Sequence, residues 1–135
     1  MAYGQDYDTL AGLVANSTGL ANSQFYAVKL ATTAGKAVIS GALNTTTGPA
    51  AFVGVLQNAP AGGEEVEFAY RGLCKMKVAT STIAIGDRVG VNSTGLGTDA
   101  GVTDNIFHIG RAVTASGAAN DIITVCLYGS GGQRY

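Results

Sequence analysis

The sequence predicts an all-β protein, a small β-barrel or sandwich with an extended N-terminal arm. Three observations carry this. Short apolar runs of period two recur from Phe25 to Tyr128. Clusters of Gly, Thr, Ser and Asn separate these runs at regular spacing. No stretch of about ten or more residues keeps a helical period over its whole length.

Residues 1–24 read differently from the rest. Asp6-Tyr7-Asp8 leads into Thr9-Leu10-Ala11-Gly12-Leu13-Val14, and Asn16-Ser17-Thr18-Gly19-Leu20 follows. The apolar residues are sparse, which suggests an extended arm. Leu10, Leu13 and Val14 have i, i+3, i+4 spacing, so a short helical turn over 8–15 is an alternative.

From Phe25 the pattern is β. The sequence places strands at 25–30 and 36–40, then a loop at Asn44–Pro49, because Pro and Gly both interrupt ladder pairing. Phe52-Val53-Gly54-Val55-Leu56 is apolar on both faces, as a central strand would be. Asn58–Gly63 is a turn. Across 64–78, Val66, Phe68, Tyr70, Cys74, Met76 and Val78 keep one parity through Gly72. One long strand, bent or bulged at Gly72, preserves that parity. A tight hairpin at Arg71-Gly72 is the alternative. Gly86-Asp87 turns into a strand at 88–91, and 92–101 is a loop. Further strands follow at 106–113 and 121–128, with Ile123, Val125 and Leu127 toward the core. Residues 129–135 form a Gly-rich tail, flexible by composition. The division is therefore arm 1–24, barrel 25–128 and tail 129–135. The pentapeptide Asn-Ser-Thr-Gly-Leu occurs at 16–20 and again at 92–96, which reads as shared turn chemistry.

With 135 residues the chain can bury a core as one domain. Only 13% of residues are charged, while 20 are glycine, a composition that suits contact with partners. The net charge is −1 and the eight basic residues are scattered, so no nucleic-acid footprint is visible. No apolar run reaches ~18 residues, so no membrane-spanning helix is expected. The first residues lack a basic stretch followed by an apolar one, so no secretory signal is expected. Cys74 and Cys126 sit in apolar runs and read as buried free thiols of a reducing compartment. A disulfide between them requires neighbouring strands.

Catalysis needs convergent titratable groups. His108, the single histidine, lies among Ile106, Phe107 and Ile109 and reads as a structural or interface residue. Glu64, Glu65 and Glu67 form an acidic cluster on a solvated strand face, which supplies no cleft. Asp6 and Asp8 lie on the arm. Gly95-Leu96-Gly97-Thr98-Asp99-Ala100 fits a dinucleotide pattern, but a loop follows it where a helix is required. No catalytic residue, metal site or cofactor is expected, and the chain reads as a non-enzyme.

Val53-Gly54-Val55-Leu56, Gly62-Gly63-Glu64, Gly72, Ile85-Gly86-Asp87-Arg88-Val89, Gly110-Arg111-Ala112 and Val125-Cys126-Leu127 stand in a familiar order. Over about residues 25–128 the chain resembles the small capsid decoration, or cement, proteins of tailed bacteriophages. It departs from them at Ser40-Gly41, where a Gly-Asp turn is expected. The resemblance implies a β-barrel on the outer capsid surface of the virion, commonly a homotrimer, that binds the major capsid protein and reinforces the shell after assembly in the host cytoplasm. An extended arm of about 24 residues spans roughly 80 Å. Tyr3, Tyr7, Leu10, Leu13 and Val14 are the candidate anchors to the capsid or to oligomer mates. Other virion parts, such as a tail tube or head-completion protein, are the first alternative. A carbohydrate-binding β-sandwich is the second, although the chain has no Trp to serve as a sugar platform.

Overall fold

The computed structural model describes residues 7–10, 12–39, 52–79, 82–101, 107–128 and 133–134, with the backbone alone at 7–10, 39 and 133–134. Tyr3 and the expected Asn44–Pro49 loop lie outside the described residues. The strands are β1 (Tyr7–Leu10), β2 (Val14–Ala15), β3 (Ala27–Leu30), β4 (Lys36–Ile39), β5 (Phe52–Leu56) and β6 (Phe68–Lys77). Then come β7 (Arg88–Val91), β8 (Gly97–Asp99), β9 (Phe107–His108), β10 (Gly110–Ala112), β11 (Ile122–Tyr128) and β12 (Gln133–Arg134). The fold is all-β.

β6 is the long strand, and it bends at Gly72. Straight, the eight residue steps from Glu67 to Lys75 would span about 26 Å. Yet Gln57 touches both: its N–H donates to the Glu67 carbonyl at 2.8 Å and its side-chain Nε2 donates to the Lys75 carbonyl at 3.0 Å. One glutamine joins these points only if the strand folds toward itself. Gly72 sits at φ 95°, a conformation that a side chain disfavours. The strand nevertheless runs on through Gly72, so there is no hairpin.

The ten-stranded sheet runs β2-β4-β3-β5-β6-β11-β10-β7-β8, with β1 added on β6. Alternation along its centre feeds two cores. Ala27, Val55 and Ala69 are cross-strand partners and face one core. Val28, Leu56 and Phe68, the other parity, face the second. This explains why β5 is apolar on both sides. The first core is filled by Met76, Val78, Ile83, Val89, Ile109, Ile123, Val125 and their neighbours. Ala15, Leu20 and Val66 cover the second.

Of the expected barrel or sandwich, the barrel is not closed among the described residues. The sheet path is open. β6 has ended at Lys77 before β8 reaches it, so the two meet through the isolated parallel bridge Val78↔Gly97 and a bond from the Ala79 N–H to the Gly97 carbonyl. Other departures are local. The stretch 8–15 is not helical: β1 pairs with β6, and Gly12 at φ 107° stops any helical continuation. The expected loop 92–101 contains β8. The strand expected at 106–113 is interrupted at Ile109, whose N–H bonds to Val89 while its carbonyl accepts from Tyr128. Within the expected tail, Gln133 and Arg134 pair with β9.

The repeated pentapeptide makes the same turn twice. Gly19 N–H donates to the Asn16 carbonyl, and Gly95 N–H to that of Asn92. In each copy the Thr hydroxyl donates to the Asn side-chain oxygen at 2.9 Å.

Two predictions test this packing. A Cβ at Gly110 would stand 2.1 Å from the Cys126 carbonyl oxygen, with backbone on either side. Gly110→Ala is expected to destabilise the fold by about 2–3 kcal/mol or more, as other overpacked sites do. Gly117→Ala, where the added carbon finds ordinary contact at 3.5 Å, is expected to stay within about 0.5 kcal/mol of wild type. Urea unfolding midpoints of the two variants check both.

The second prediction concerns Cys74. Burial pushes its thiol up to about 12 from an ordinary 9.0, and nearby Cys126 pushes it further in the same direction. Between those values the unfolded chain has released a proton that the folded chain keeps. Stability from this group is therefore full below pH 9 and falls as pH rises, by up to about 1.4 kcal/mol per unit. The stability advantage of wild type over Cys74→Ala is expected to be constant below pH 9 and to shrink above it. Urea unfolding across a pH series measures it, and a constant difference throughout would contradict the assignment.

Candidate interaction surface

Of the five candidate anchors, Leu13 and Val14 alone have described side chains, and both are partly buried against their own chain. Tyr3 is outside the described residues. Tyr7 and Leu10 lie in β1, at register positions opposite Gly72 and Phe68. Leu13 packs on the second core, and its carbonyl accepts from Val66 N–H at 2.9 Å. Val14 is half-buried in β2, donates its N–H to Gly35 and bridges Glu65. Residues 13–20 are thus held between β4 and the 60–66 turn. Glycines set the close approach there: a Cβ at Gly62 would stand 2.5 Å from the Ser17 carbonyl oxygen. This part of the expected arm spends its apolar groups on its own chain, because the second core is uncovered without Ala15 and Leu20.

The outward surface is found elsewhere, on the first-core half of the sheet. Directly opposed residues of antiparallel strands share a face. Cys126 stands opposite Leu73 on one side and Arg111 on the other. Lys75 stands opposite Thr124, and Lys77 opposite Ile122. Val113 N–H donates to the Thr124 carbonyl at 2.8 Å, which sets it beside that row. The 84–87 turn joins the edge, because Gly86 N–H bonds to Ala112 and Arg111 Nη1 donates to the Gly86 carbonyl at 2.8 Å.

This face collects exposed apolar side chains. Among the described residues the large exposed hydrophobics are Leu30, Leu73, Ile85, Val113 and Ile122. All but Leu30 lie here, with Ile85 at 72% and Ile122 at 51% exposure. Lys75 and Arg111 are exposed among them. The carboxylates at the borders are engaged in their own turns. Asp87 accepts from Ala84 N–H at 2.8 Å, Asp99 from Gly101 N–H at 2.7 Å, and Asp121 from Gly117 and Ala118 N–H groups. Asp8 stands at the register position opposite Arg71, at one corner. Exposed Glu64 and Glu65 belong to the other half of the molecule.

The cysteines separate by parity. Cys74 opposes Val125 and is buried, while Cys126 opposes Leu73 and is exposed. The strands are neighbours, but the thiols are on opposite faces and both are free. The expectation of two buried thiols holds for Cys74 alone. The outward turn of Cys126 was legible in its parity with Ile122 and Thr124.

No catalytic arrangement accompanies these features among the described residues. His108 is buried and meets Tyr128 edge-on, ring centroids 5.2 Å apart. An open cleft is lined by Asn16, Ser17, Lys29, Thr32, Thr33 and Lys36, and neither a carboxylate nor a histidine is among its lining residues. Among the described residues, no group of three or more His, Cys, Asp or Glu side chains stands where it could hold a metal ion. Among the described residues, no helix is long and apolar enough to cross a membrane.

Comparison with known proteins places this geometry. No curated protein matches the chain. Among solved structures, the N-terminal base of the head fibre protein gp8.5 of bacteriophage phi29 superposes with a TM-score of 0.63 at 11% identity, covering 95% of this chain and 100% of that one. At that identity the likeness shows a shared fold. The family described as phage cement protein matches residues 11–127, nearly the whole chain. This chain therefore belongs to the phage cement protein family.

Proposed function

We propose that this protein decorates the outer surface of a phage head and stabilises the shell by non-covalent contact with the major capsid protein. The observation that carries the reading is membership of the cement family over residues 11–127. The exposed apolar and basic sheet face is the kind of surface such contact needs. Fold likeness to the base of a phage head fibre is in keeping with a place on the head. The protein acts as a homotrimer in this reading, so that modest contacts repeated around an axis add to tight net binding. It works by contact and not by turnover. Leu13 and Val14 are committed within the chain, which leaves Tyr3, Tyr7 and Leu10 as the N-terminal residues offered to the capsid or to a second copy.

A sugar-binding role finds less support. Tyr26 and Tyr70 are half-buried beneath Lys77 and Arg71, at 5.8 and 5.9 Å from their ring centroids. Tyr128 packs on His108. None of the three offers an open platform.

Co-sedimentation with capsids stripped of their decoration tests the proposal. Saturable binding is expected, with decorated capsids surviving heat or chelator better than stripped ones. Failure to bind, with the protein forming rings or tubes by itself, would move it to the tail or connector.

A further inference from the structure

We infer that the outward face of β6, β11 and β10, centred on Cys126, is the surface that meets the shell, and that it docks on a capsid protein patch with an apolar centre and carboxylates at its rim. The inference rests on the decoration role proposed above and adds the face and the chemistry of its partner.

Three observations converge on it. Four of the five large exposed hydrophobics lie on this face or its bordering turn. Leaving such side chains together in water is unfavourable in proportion to the apolar surface they expose, so a concentrated set marks a contact site. The formal charges on these rows are of one sign. Lys75, Lys77 and Arg111 are present, and no Asp or Glu stands in the rows built from residues 73–77, 111–113 and 122–126. The whole chain carries a net −1, so this face is a local inversion. Finally, the face is a ladder of paired strands over a packed core. It is pre-organised, so docking it costs little ordering entropy.

Those charges choose the partner. A basic rim around Leu73, Ile122 and Val113 is complementary to an acidic rim around an apolar centre, and it repels a second basic face. A second copy docking through the same face would set Lys75 and Arg111 against their own kind. The acidic residues Glu64 and Glu65 of a second copy follow a glycine turn whose cleft holds a single large exposed apolar side chain, Leu30, together with Lys29 and Lys36. They match the charge of the face and not its apolar centre.

Cys126 makes the inference testable without altering the protein. It lies at the middle of the face and is exposed, whereas Cys74 is buried and silent toward alkylating reagents. Maleimide labelling of the folded protein is expected to modify Cys126 alone. On stripped capsids its rate is expected to fall by about tenfold or more, because interface centres exclude solvent. Joint Lys75→Glu and Arg111→Glu substitution is expected to weaken capsid binding about a hundredfold through like-charge contact, with oligomeric state unchanged. Ile122→Asp is expected to act in the same direction. If wild type binds capsids with Cys126 labelled as fast as in the free protein, the face is wrong and the decoration role stands. If the charge variants bind normally, the complementarity is wrong. If they bind weakly because the oligomer has dissociated, the face is a self-contact and the inference falls. If wild type does not bind stripped capsids at all, the decoration role fails and the inference fails with it.

Discussion

Everything in this fold is arranged around the bend of β6 at Gly72. Along its length the same strand changes neighbours: β5 pairs at Phe68 and Ala69, β1 from Phe68 to Gly72, and β11 from Arg71 to Lys77. It contributes to two cores, Phe68 to one and Ala69, Cys74 and Met76 to the other, so the parity that faces the second core before the bend faces the first after it. A straight strand would carry both halves of its length on one flat ladder. The bent one brings Glu67 and Lys75 within reach of a single glutamine. Phe25 completes the clamp, donating to Leu56 and accepting from Lys77 while held at φ 70°. For a bulky residue that conformation costs on the order of 1–3 kcal/mol, so the surrounding bonds must hold it in place.

Two consequences for function follow from this geometry. The N-terminal segment is drawn into the body, because the second core is open until Ala15 and Leu20 close it. Meanwhile the β6–β11–β10 ladder is backed by the first core and, among the described residues, carries exposed side chains on its outer side. A small protein with few charges then shows an asymmetric surface. Among the described residues, Asp87, Asp99 and Asp121 cap their own turns and Glu64 and Glu65 stand on the other half, while Lys75, Arg111 and branched aliphatic side chains share one sheet face. For a member of the cement family, a rigid face of that kind suits repeated, non-covalent reinforcement of a lattice.

Much of the fold was legible in the sequence because period-two alternation is a local signal. The apolar run through Gly72 gave the long bent strand, but not one face: Val66 and Phe68 turn to the second core and Cys74, Met76 and Val78 to the first, because the ladder with β1 shifts register between Arg71 and Ala69. The doubly apolar run 52–56 gave the central strand, and Ile123, Val125 and Leu127 face the core as their spacing required. What was not legible depended on pairing. β1, β2, β8 and β12 are two to four residues long, too short for a period, and exist because a partner strand satisfies them. The status of residues 13–20 hung on the second core, which no sequence window contains. Open or closed sheet topology was equally out of reach, since it turns on where β8 meets the last residues of β6. For the site, composition pointed to a contact protein, but the interaction face is assembled across β6, β10 and β11. Lys75, Arg111 and Ile122 looked scattered in the chain and become neighbours through register alone.

The most direct test is a cryo-electron microscopy map of stripped capsids re-decorated with this protein. The account predicts copies of the domain on the outer shell, with β11 and β10 against the capsid protein and the Glu64–Glu65 turn away from that contact. A map with the domain absent from the shell, or seated with the Cys126 face open to solvent, would contradict it.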